Sequence, residues 1–192
     1  MSNKCEYSKI TLKEAFTIPN ILCYIRLVLI PIFVYVYANA KEAKDYYLAG
    51  AIIFLSGLTD FCDGFIARRF NQVTELGKLI DPVADKLTQA AIIIALMFRF
   101  KWIFFLVVLF TIKELSMIIN GIILLKKGKK LDGAMWFGKV STAVFYLSTF
   151  IIILFPSLDV SIINTLMIIS SFFMALSFIM YMIEYIKMYK DL

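Results

Sequence analysis

The sequence contains no histidine, and this absence removes several common kinds of active site. Ser-His-Asp and Cys-His catalysis both need an imidazole base, and many zinc sites need an imidazole ligand. Three cysteines are present, Cys5, Cys23 and Cys62, but their spacing matches no zinc or redox pattern. Any bound metal would therefore be held mainly by oxygen atoms, which favours a hard cation such as Mg²⁺ or Mn²⁺.

Charge is also scarce, since 18% of the 192 residues are charged and 61% are hydrophobic. A soluble domain has about a quarter charged residues, so the composition indicates that lipid is the solvent. The net charge of +6 then fits basic cytoplasmic loops of a membrane protein. The basic residues form no run interleaved with aromatic residues, so we predict no nucleic-acid partner.

Long apolar runs predict an all-α integral membrane protein with six transmembrane helices. The predicted spans are about 20–39, 46–68, 81–99, 102–125, 135–155 and 160–186. Residues 1–17 are polar and of mixed charge, which is not the layout of a cleaved signal peptide. We predict that they form a short interfacial helix, which is the first segment of a single membrane domain covering 1–192.

Lysine and arginine are concentrated on one side of the predicted bundle. They occur before span one, in the links 2–3 and 4–5, and in the C-terminal tail. Basic loops stay in the cytoplasm, so both termini are predicted to be cytoplasmic, in what we expect to be a bacterial cytoplasmic membrane. Spans two and three also carry acidic residues at their predicted cytoplasmic ends, and a helix that only anchors a protein in lipid has no need of them.

Four aspartates occupy these ends. Asp60 and Asp63 are three residues apart and share one helix face, and Asp81 and Asp85 are four apart and share another. The link at about 70–78 is short, so the two helices should be antiparallel neighbours with their acidic faces opposed. The sequence therefore predicts one acidic cluster between the two helices.

Such a cluster is costly without counter-charges. Each aspartate within a membrane costs about 2.5–3.5 kcal/mol on the insertion scale. Two carboxylates about 4 Å apart repel by roughly 4 kcal/mol at an effective dielectric constant near 20. One or two divalent cations would relieve this repulsion and leave coordination positions open for phosphate oxygens.

Small residues and an arginine accompany the aspartates. Gly64 follows Asp63 directly, Ala67 is small, and Gly77 ends the link. A glycine in a helix lets another group approach the backbone closely, and the planar fork of Arg68 is suited to phosphate. Together with a divalent cation, these residues suggest a diphosphate ligand.

These eight residues form one pattern over 26 positions, Asp60-x2-Asp63-Gly64-x2-Ala67-Arg68-x8-Gly77-x3-Asp81-x3-Asp85. The pattern resembles the full signature of the CDP-alcohol phosphatidyltransferase family, with every fixed position filled. The resemblance extends outward to the segments Thr17-Ile18-Pro19-Asn20, Arg26 in span one, and Gly138-Lys139-x-Ser141-Thr142. It covers about residues 17–155, which is most of the chain.

The resemblance implies an enzyme of phospholipid biosynthesis that uses two divalent ions, Mg²⁺ or Mn²⁺, and acts as a homodimer among membrane lipids. Its donor would be CDP-diacylglycerol, and CMP would leave. The implied metal ligands are Asp60, Asp63, Asp81 and Asp85, with Asp85 also acting as the general base. The implied CDP-diacylglycerol site adds Gly64, Ala67, Arg68 and Gly77 to Asp60 and Asp63.

The acceptor is less well determined by this resemblance. Phosphatidylglycerophosphate synthases have an Arg-Glu pair, a later arginine and a second lysine before span five. Here the pair is Lys113-Glu114, Gly121 stands at the later position, and Ser141 replaces the second lysine.

The candidate acceptor-binding residues are Arg26, Lys113, Lys139 and Ser141. This small set of cations suits the single diester charge of phosphatidylglycerol, which favours cardiolipin synthesis. The alternative is glycerol 3-phosphate as acceptor. A cation channel or transporter is a remote alternative, because a pore has no need of the Gly-Ala-Arg companions.

Overall fold

A computed structural model describes residues 16–70, 72–100, 103–129 and 135–190. Over these residues the chain forms helices and no strand, which confirms the all-α prediction. The helices are α1 Ile18–Ala38, α2 Ala43–Arg69, α3 Glu75–Arg99, α4 Phe104–Lys126, α5 Trp136–Leu154 and α6 Val160–Lys190. The interfacial helix predicted over residues 1–17 lies, up to residue 15, outside the described residues and stays a prediction.

Five of these helices, all except α3, are long and apolar enough to cross a membrane. The remaining helix, α3, begins at Glu75, six residues before the predicted span, and carries Asp81, Asp85 and Lys86 in its first half. These charges lower its hydropathy, so a sixth membrane crossing stays a prediction. Five apolar spans are sufficient to identify an integral membrane protein.

Local sequence signals explain where the helices near the acidic cluster begin. Pro19 lies in the first turn of α1, where its missing N–H costs no helical hydrogen bond. At the start of α2, Glu42 and Asp45 form a reciprocal capping box. At the start of α3, the Thr74 hydroxyl accepts a hydrogen bond from the backbone N–H of Gly77 at 2.9 Å.

The bundle has a tightly packed half and a polar half. The main core contains the second halves of α1, α3 and α5 and the first halves of α2, α4 and α6, represented by Phe33, Ile92, Phe145, Ile153 and Met174. The opposite half contains the acidic cluster. Helix α1 packs against both α2 and α3, and α5 packs against α2 and α6. This arrangement places α1 beside the carboxylates of both neighbouring helices.

The outer surface of the bundle is apolar. Val28, Phe54, Leu115 and Phe172 are each more than half exposed. In water such a continuous apolar surface would drive association, whereas lipid tails solvate it without cost. The burial pattern therefore agrees with the composition, because the polar groups lie inside and the apolar side chains face outward.

A close contact between α5 and α6 gives a test of the packing in the polar half. A Cβ at Gly138 would overlap the buried Tyr181 hydroxyl, which accepts the Met135 backbone N–H at 3.3 Å. We expect Gly138→Ala to destabilise the protein by about 1–3 kcal/mol through overpacking. Thermal unfolding in detergent should show a lower midpoint.

Gly121→Ala is the matched control for this experiment. Within the described structure, a Cβ at Gly121 meets no atom within 4 Å. Alanine also has the higher helix propensity, so the midpoint should stay constant or rise slightly. Equal effects of the two substitutions would contradict the packing described for Gly138.

Candidate active site

The four predicted aspartates converge at one end of the bundle. Asp60 and Asp63 lie near the end of α2, and Asp81 and Asp85 lie near the start of α3. The five residues 70–74 connect the two helices, so both acidic pairs stand at the same level. Asp63 is 4% exposed, whereas the side chains of Asp60, Asp81 and Asp85 are each at least 40% exposed.

A single guanidinium from α1 lies among these carboxylates. The Arg26 side chain is 1% exposed and reaches all four aspartates. Its Nη2 lies 2.7 Å from Asp60 Oδ1 and 2.5 Å from Asp63 Oδ2. Its Nη1 lies 3.2 Å from Asp81 Oδ1 and 3.1 Å from Asp85 Oδ1. One nitrogen therefore binds the α2 pair and the other binds the α3 pair.

Cys23 also belongs to this cluster, one turn before Arg26 on α1. Its thiol donates to Asp63 Oδ2 at 3.4 Å and lies within 3.8 Å of Asp81 Oδ1. Sequence reasoning gave Cys23 no role, because the spacing of the cysteines carries no signal. Cys23 precedes Arg26 by one turn, so its place in the cluster becomes evident only once Arg26 is known to lie among the aspartates.

Gly77 allows α1 and α3 to pack closely, because it has no side chain at their contact. A Cβ at this position would approach the Asn20 Oδ1 atom to 2.7 Å. The Asn20 amide donates to the Thr74 hydroxyl at 3.1 Å, which ties α1 to the cap of α3. Gly77 thus has a packing reason in addition to the nucleotide role that was predicted for it.

The other predicted nucleotide residues lie along the last turns of α2. Gly64, Ala67 and Arg68 follow Asp60 by one to two turns. The Arg68 guanidinium folds back over Gly64, where a Cβ would meet it at 3.4 Å. These three residues are not among the described residues that line the cavity next to the acidic cluster. Their role at a nucleotide site stays a prediction.

An open cavity of about 1060 Å³ adjoins the acidic cluster. Its acidic wall is formed by Asp60, Asp81 and Asp85, with Arg26 behind them. Apolar residues of α2 and α5, including Phe54 and Leu147, line another part. A cavity of this size holds a substrate headgroup together with part of an acyl chain.

The cavity lining also includes three lysines, which we call the basic wall. Lys86 of α3, Lys113 of α4 and Lys139 of α5 all line the cavity. Glu114 Oε1 lies 2.9 Å from the Lys86 ammonium and 3.1 Å from that of Lys113. Lys113 is 3% exposed, so this carboxylate holds a buried cation in place. The sequence predicts Lys113 and Lys139 at the acceptor, and the structure adds Lys86.

Ser141 lies away from this wall. Its side chain is 2% exposed and does not belong to the described cavity lining, whereas the next residue, Thr142, does. The residues predicted for the acceptor therefore separate into three groups. Lys113 and Lys139 face the cavity, Arg26 lies among the aspartates, and Ser141 packs inside the bundle.

The donor atoms of the acidic wall fit a hard divalent cation. Asp60, Asp81 and Asp85 each offer a carboxylate oxygen, and these oxygens lie within 4.8 Å of one another. Cys23, Asp63 and Asp81 form a second group, which shares Asp81 with the first. The all-oxygen group suits Mg²⁺ or Mn²⁺, whereas the thiol is a poor ligand for either ion.

The family profile described as CDP-alcohol phosphatidyltransferase matches residues 16–183. A CDP-diacylglycerol--glycerol-3-phosphate 3-phosphatidyltransferase of Aquifex aeolicus is 30% identical over 180 residues, covering 89% of this chain and 97% of that protein. This chain belongs to the CDP-alcohol phosphatidyltransferase family. The resemblance drawn from its eight-residue pattern is therefore confirmed at the level of the family.

Two further relatives match shorter segments. A Rickettsia bellii protein with the same name as the Aquifex relative is 43% identical over 82 residues, which are 42% of this chain. A Mycobacterium tuberculosis protein, described only provisionally as a cardiolipin synthase, is 46% identical over 78 residues, 41% of this chain and 36% of that protein. The chain spans less than half the length of the Rickettsia relative, since the match covers 44% of that protein.

The lysine pair around Glu114 gives a test of the basic wall. We expect Glu114→Gln to lower stability by on the order of 3 kcal/mol, because it leaves the buried Lys113 charge uncompensated. Thermal unfolding in detergent, without substrate, measures this loss.

Glu184→Gln is the matched control, since it removes a carboxylate paired with Lys187 at 3.3 Å on a more exposed surface. An exposed pair contributes about 0–1 kcal/mol, so this variant should unfold close to the wild type. A Glu114→Gln variant as stable as the control would contradict the role assigned to Glu114.

Proposed function

We propose that this protein transfers a phosphatidyl group from CDP-diacylglycerol to glycerol 3-phosphate and releases CMP. The observation that carries the proposal is a single cavity with an acidic wall and a basic wall. The acidic wall suits a donor diphosphate held through divalent cations. The basic wall suits an acceptor that carries its own phosphate.

The aspartates would bind the metal ions that hold the donor, CDP-diacylglycerol. Asp60, Asp63 and Asp81 would hold two divalent ions, Mg²⁺ or Mn²⁺, with Asp85 contributing to them. When bound, such ions neutralise charge on the diphosphate and polarise the phosphorus that is attacked. Gly64, Ala67, Arg68 and Gly77 would line the cytidine nucleotide beyond the cluster.

Asp85 is the proposed general base. It lines the cavity with a side chain that is 40% exposed, which leaves it accessible to an acceptor hydroxyl. Asp85 takes the hydroxyl proton as the acceptor oxygen bonds to the phosphorus that bears diacylglycerol. The bond from this phosphorus to the CMP oxygen breaks, and CMP leaves. Positioning and charge neutralisation supply most of the rate in such transfers.

The basic wall and the names of the relatives both support the proposed acceptor. Sequence reasoning ranked phosphatidylglycerol first because it counted few cations. Lys86 joins Lys113 and Lys139 at the cavity, so three lysines are available to a phosphate monoester. The Aquifex relative, matched over nearly its whole length, is named for glycerol 3-phosphate. Both observations favour glycerol 3-phosphate, which sequence reasoning kept as the alternative.

Cardiolipin synthesis, with phosphatidylglycerol as acceptor, is the second candidate. Glu114 offsets part of the charge of Lys86 and Lys113, which suits an acceptor with a single diester charge. The provisional name of the mycobacterial relative points the same way, although it rests on a shorter match.

We also propose a setting for this site. Arg68 and Arg69 end α2, Lys126 ends α4, and Lys187 and Lys190 end α6. These basic ends support a cytoplasmic location of the active site and of both termini. All six helices would cross the membrane as one domain, with residues 1–17 at the interface, and two chains would form a homodimer.

A panel of acceptors tests the proposed reaction. Purified protein is given CDP-diacylglycerol, Mg²⁺ and either glycerol 3-phosphate or phosphatidylglycerol, and the lipid products are measured by mass spectrometry. We expect phosphatidylglycerophosphate from the first acceptor and at most traces of cardiolipin from the second. Cardiolipin formation without turnover of glycerol 3-phosphate would instead support the second candidate.

Asp85→Asn tests the base. The amide keeps the size of the side chain but cannot accept the hydroxyl proton, so CMP release should fall at least about 100-fold. Mn²⁺ should still raise the unfolding midpoint, because Asp60, Asp63 and Asp81 remain. Near-normal CMP release by this variant would remove Asp85 as the base.

A further inference from the structure

Arg26 occupies the position where the predicted metal ligands converge. Its two terminal nitrogens contact one oxygen of each aspartate, at 2.5–3.2 Å. These contacts join α1 to residues 34 to 59 positions further along the chain, on two other helices. The guanidinium is thus the internal counter-ion that holds the α2 and α3 carboxylates together.

A divalent cation would need the same space. Mg²⁺ binds its oxygen ligands at about 2.0–2.1 Å, which places the ion between the carboxylates that it joins. The Arg26 nitrogens already lie between the oxygens of Asp60, Asp81 and Asp85. A guanidinium and a divalent ion about 4 Å apart also repel each other. At an effective dielectric constant near 20, this repulsion would lower the affinity for the ion by more than tenfold.

The net charge of the aspartate cluster still attracts a divalent cation. Four carboxylates face one guanidinium, so the cluster keeps excess negative charge while Arg26 is in place. The side chains of Asp60, Asp81 and Asp85 are open to the cavity, whereas Asp63 is buried. An ion arriving from the cavity would therefore meet the three accessible carboxylates first.

We propose that Arg26 is a positioning residue that holds the four aspartates together and competes with divalent cations for their oxygens. Arg26 itself belongs to the cavity lining, so it is next to the space from which an ion would arrive. This inference rests on the metal requirement of the proposed function and is independent of the acceptor.

Competition and simple structural support predict opposite changes in metal affinity. If Arg26 competes with the ion, Arg26→Gln should bind Mn²⁺ more tightly than the wild type, by about tenfold or more. If Arg26 only supports the aspartates, the same substitution should weaken Mn²⁺ binding. The unfolding midpoint without metal should fall in both cases, and therefore serves as the check that the aspartates have lost their counter-ion.

The experiment titrates the purified full-length protein in detergent with Mn²⁺, without substrate, and follows free Mn²⁺ by electron paramagnetic resonance. Arg99→Gln is the matched control. It removes the same charge at the other end of α3, where Arg99 donates to the Pro156 carbonyl at 3.0 Å. Its Mn²⁺ affinity should equal that of the wild type.

Arg26→Lys provides a second variant in case the glutamine variant does not fold. A lysine keeps one charge but lacks the fork that reaches both acidic pairs, so its Mn²⁺ affinity should lie above that of the wild type. Affinities equal to or below the wild-type value in the Arg26 variants would overturn the inference and leave the transfer reaction intact. A wild-type protein that binds no Mn²⁺ would overturn both the inference and the metal requirement.

Discussion

The repulsion among four carboxylates on two adjoining helices is the constraint on which the polar half of this protein depends. Arg26 offsets this repulsion, because one of its terminal nitrogens contacts the α2 pair and the other contacts the α3 pair. This contact requires α1 to pack closely on both helices. The Asn20 side chain fits against α3 because Gly77 has no Cβ. A membrane bundle tolerates such a cluster only with its counter-charges supplied, since each isolated charge costs several kcal/mol.

The cavity lining carries charges of both signs. It includes Asp60, Asp81 and Asp85 together with Lys86, Lys113 and Lys139. Glu114 fixes the orientation of two of these lysines while reducing their combined charge. In the proposed reaction, a donor diphosphate bound through cations at the aspartates would meet an anionic acceptor held by the lysines.

The helices and the acidic pairs could be predicted from sequence because both depend on local spacing. Apolar run length gives the spans, and residues three or four apart share a face. The start of α3 was placed too late because Glu75, Gly77 and Lys78 interrupt the apolar run in its first turns. The predicted helices α4 and α5 agree with the observed bounds within about two residues.

The positions of Arg26, Cys23 and Lys86 could not be predicted in this way. Each depends on how distant helices pack, and Lys86 meets Glu114 across 28 positions of the chain. Arg26 was assigned to the acceptor from family resemblance alone, and the structure adds its contacts with the aspartates. The sequence prediction counted cations in the fourth and fifth spans and therefore left out Lys86 on α3. With fewer cations, phosphatidylglycerol was the favoured acceptor.

In the proposed function, the aspartates bring a divalent cation into contact with the diphosphate of CDP-diacylglycerol. Pulsed electron paramagnetic resonance on the Mn²⁺-loaded protein tests it most directly. Adding CDP-diacylglycerol should produce a ³¹P hyperfine coupling to the bound Mn²⁺, and Asp81→Asn should remove it, because Asp81 belongs to both groups of candidate ligands. A bound Mn²⁺ that gains no ³¹P coupling in the wild-type protein would contradict the account.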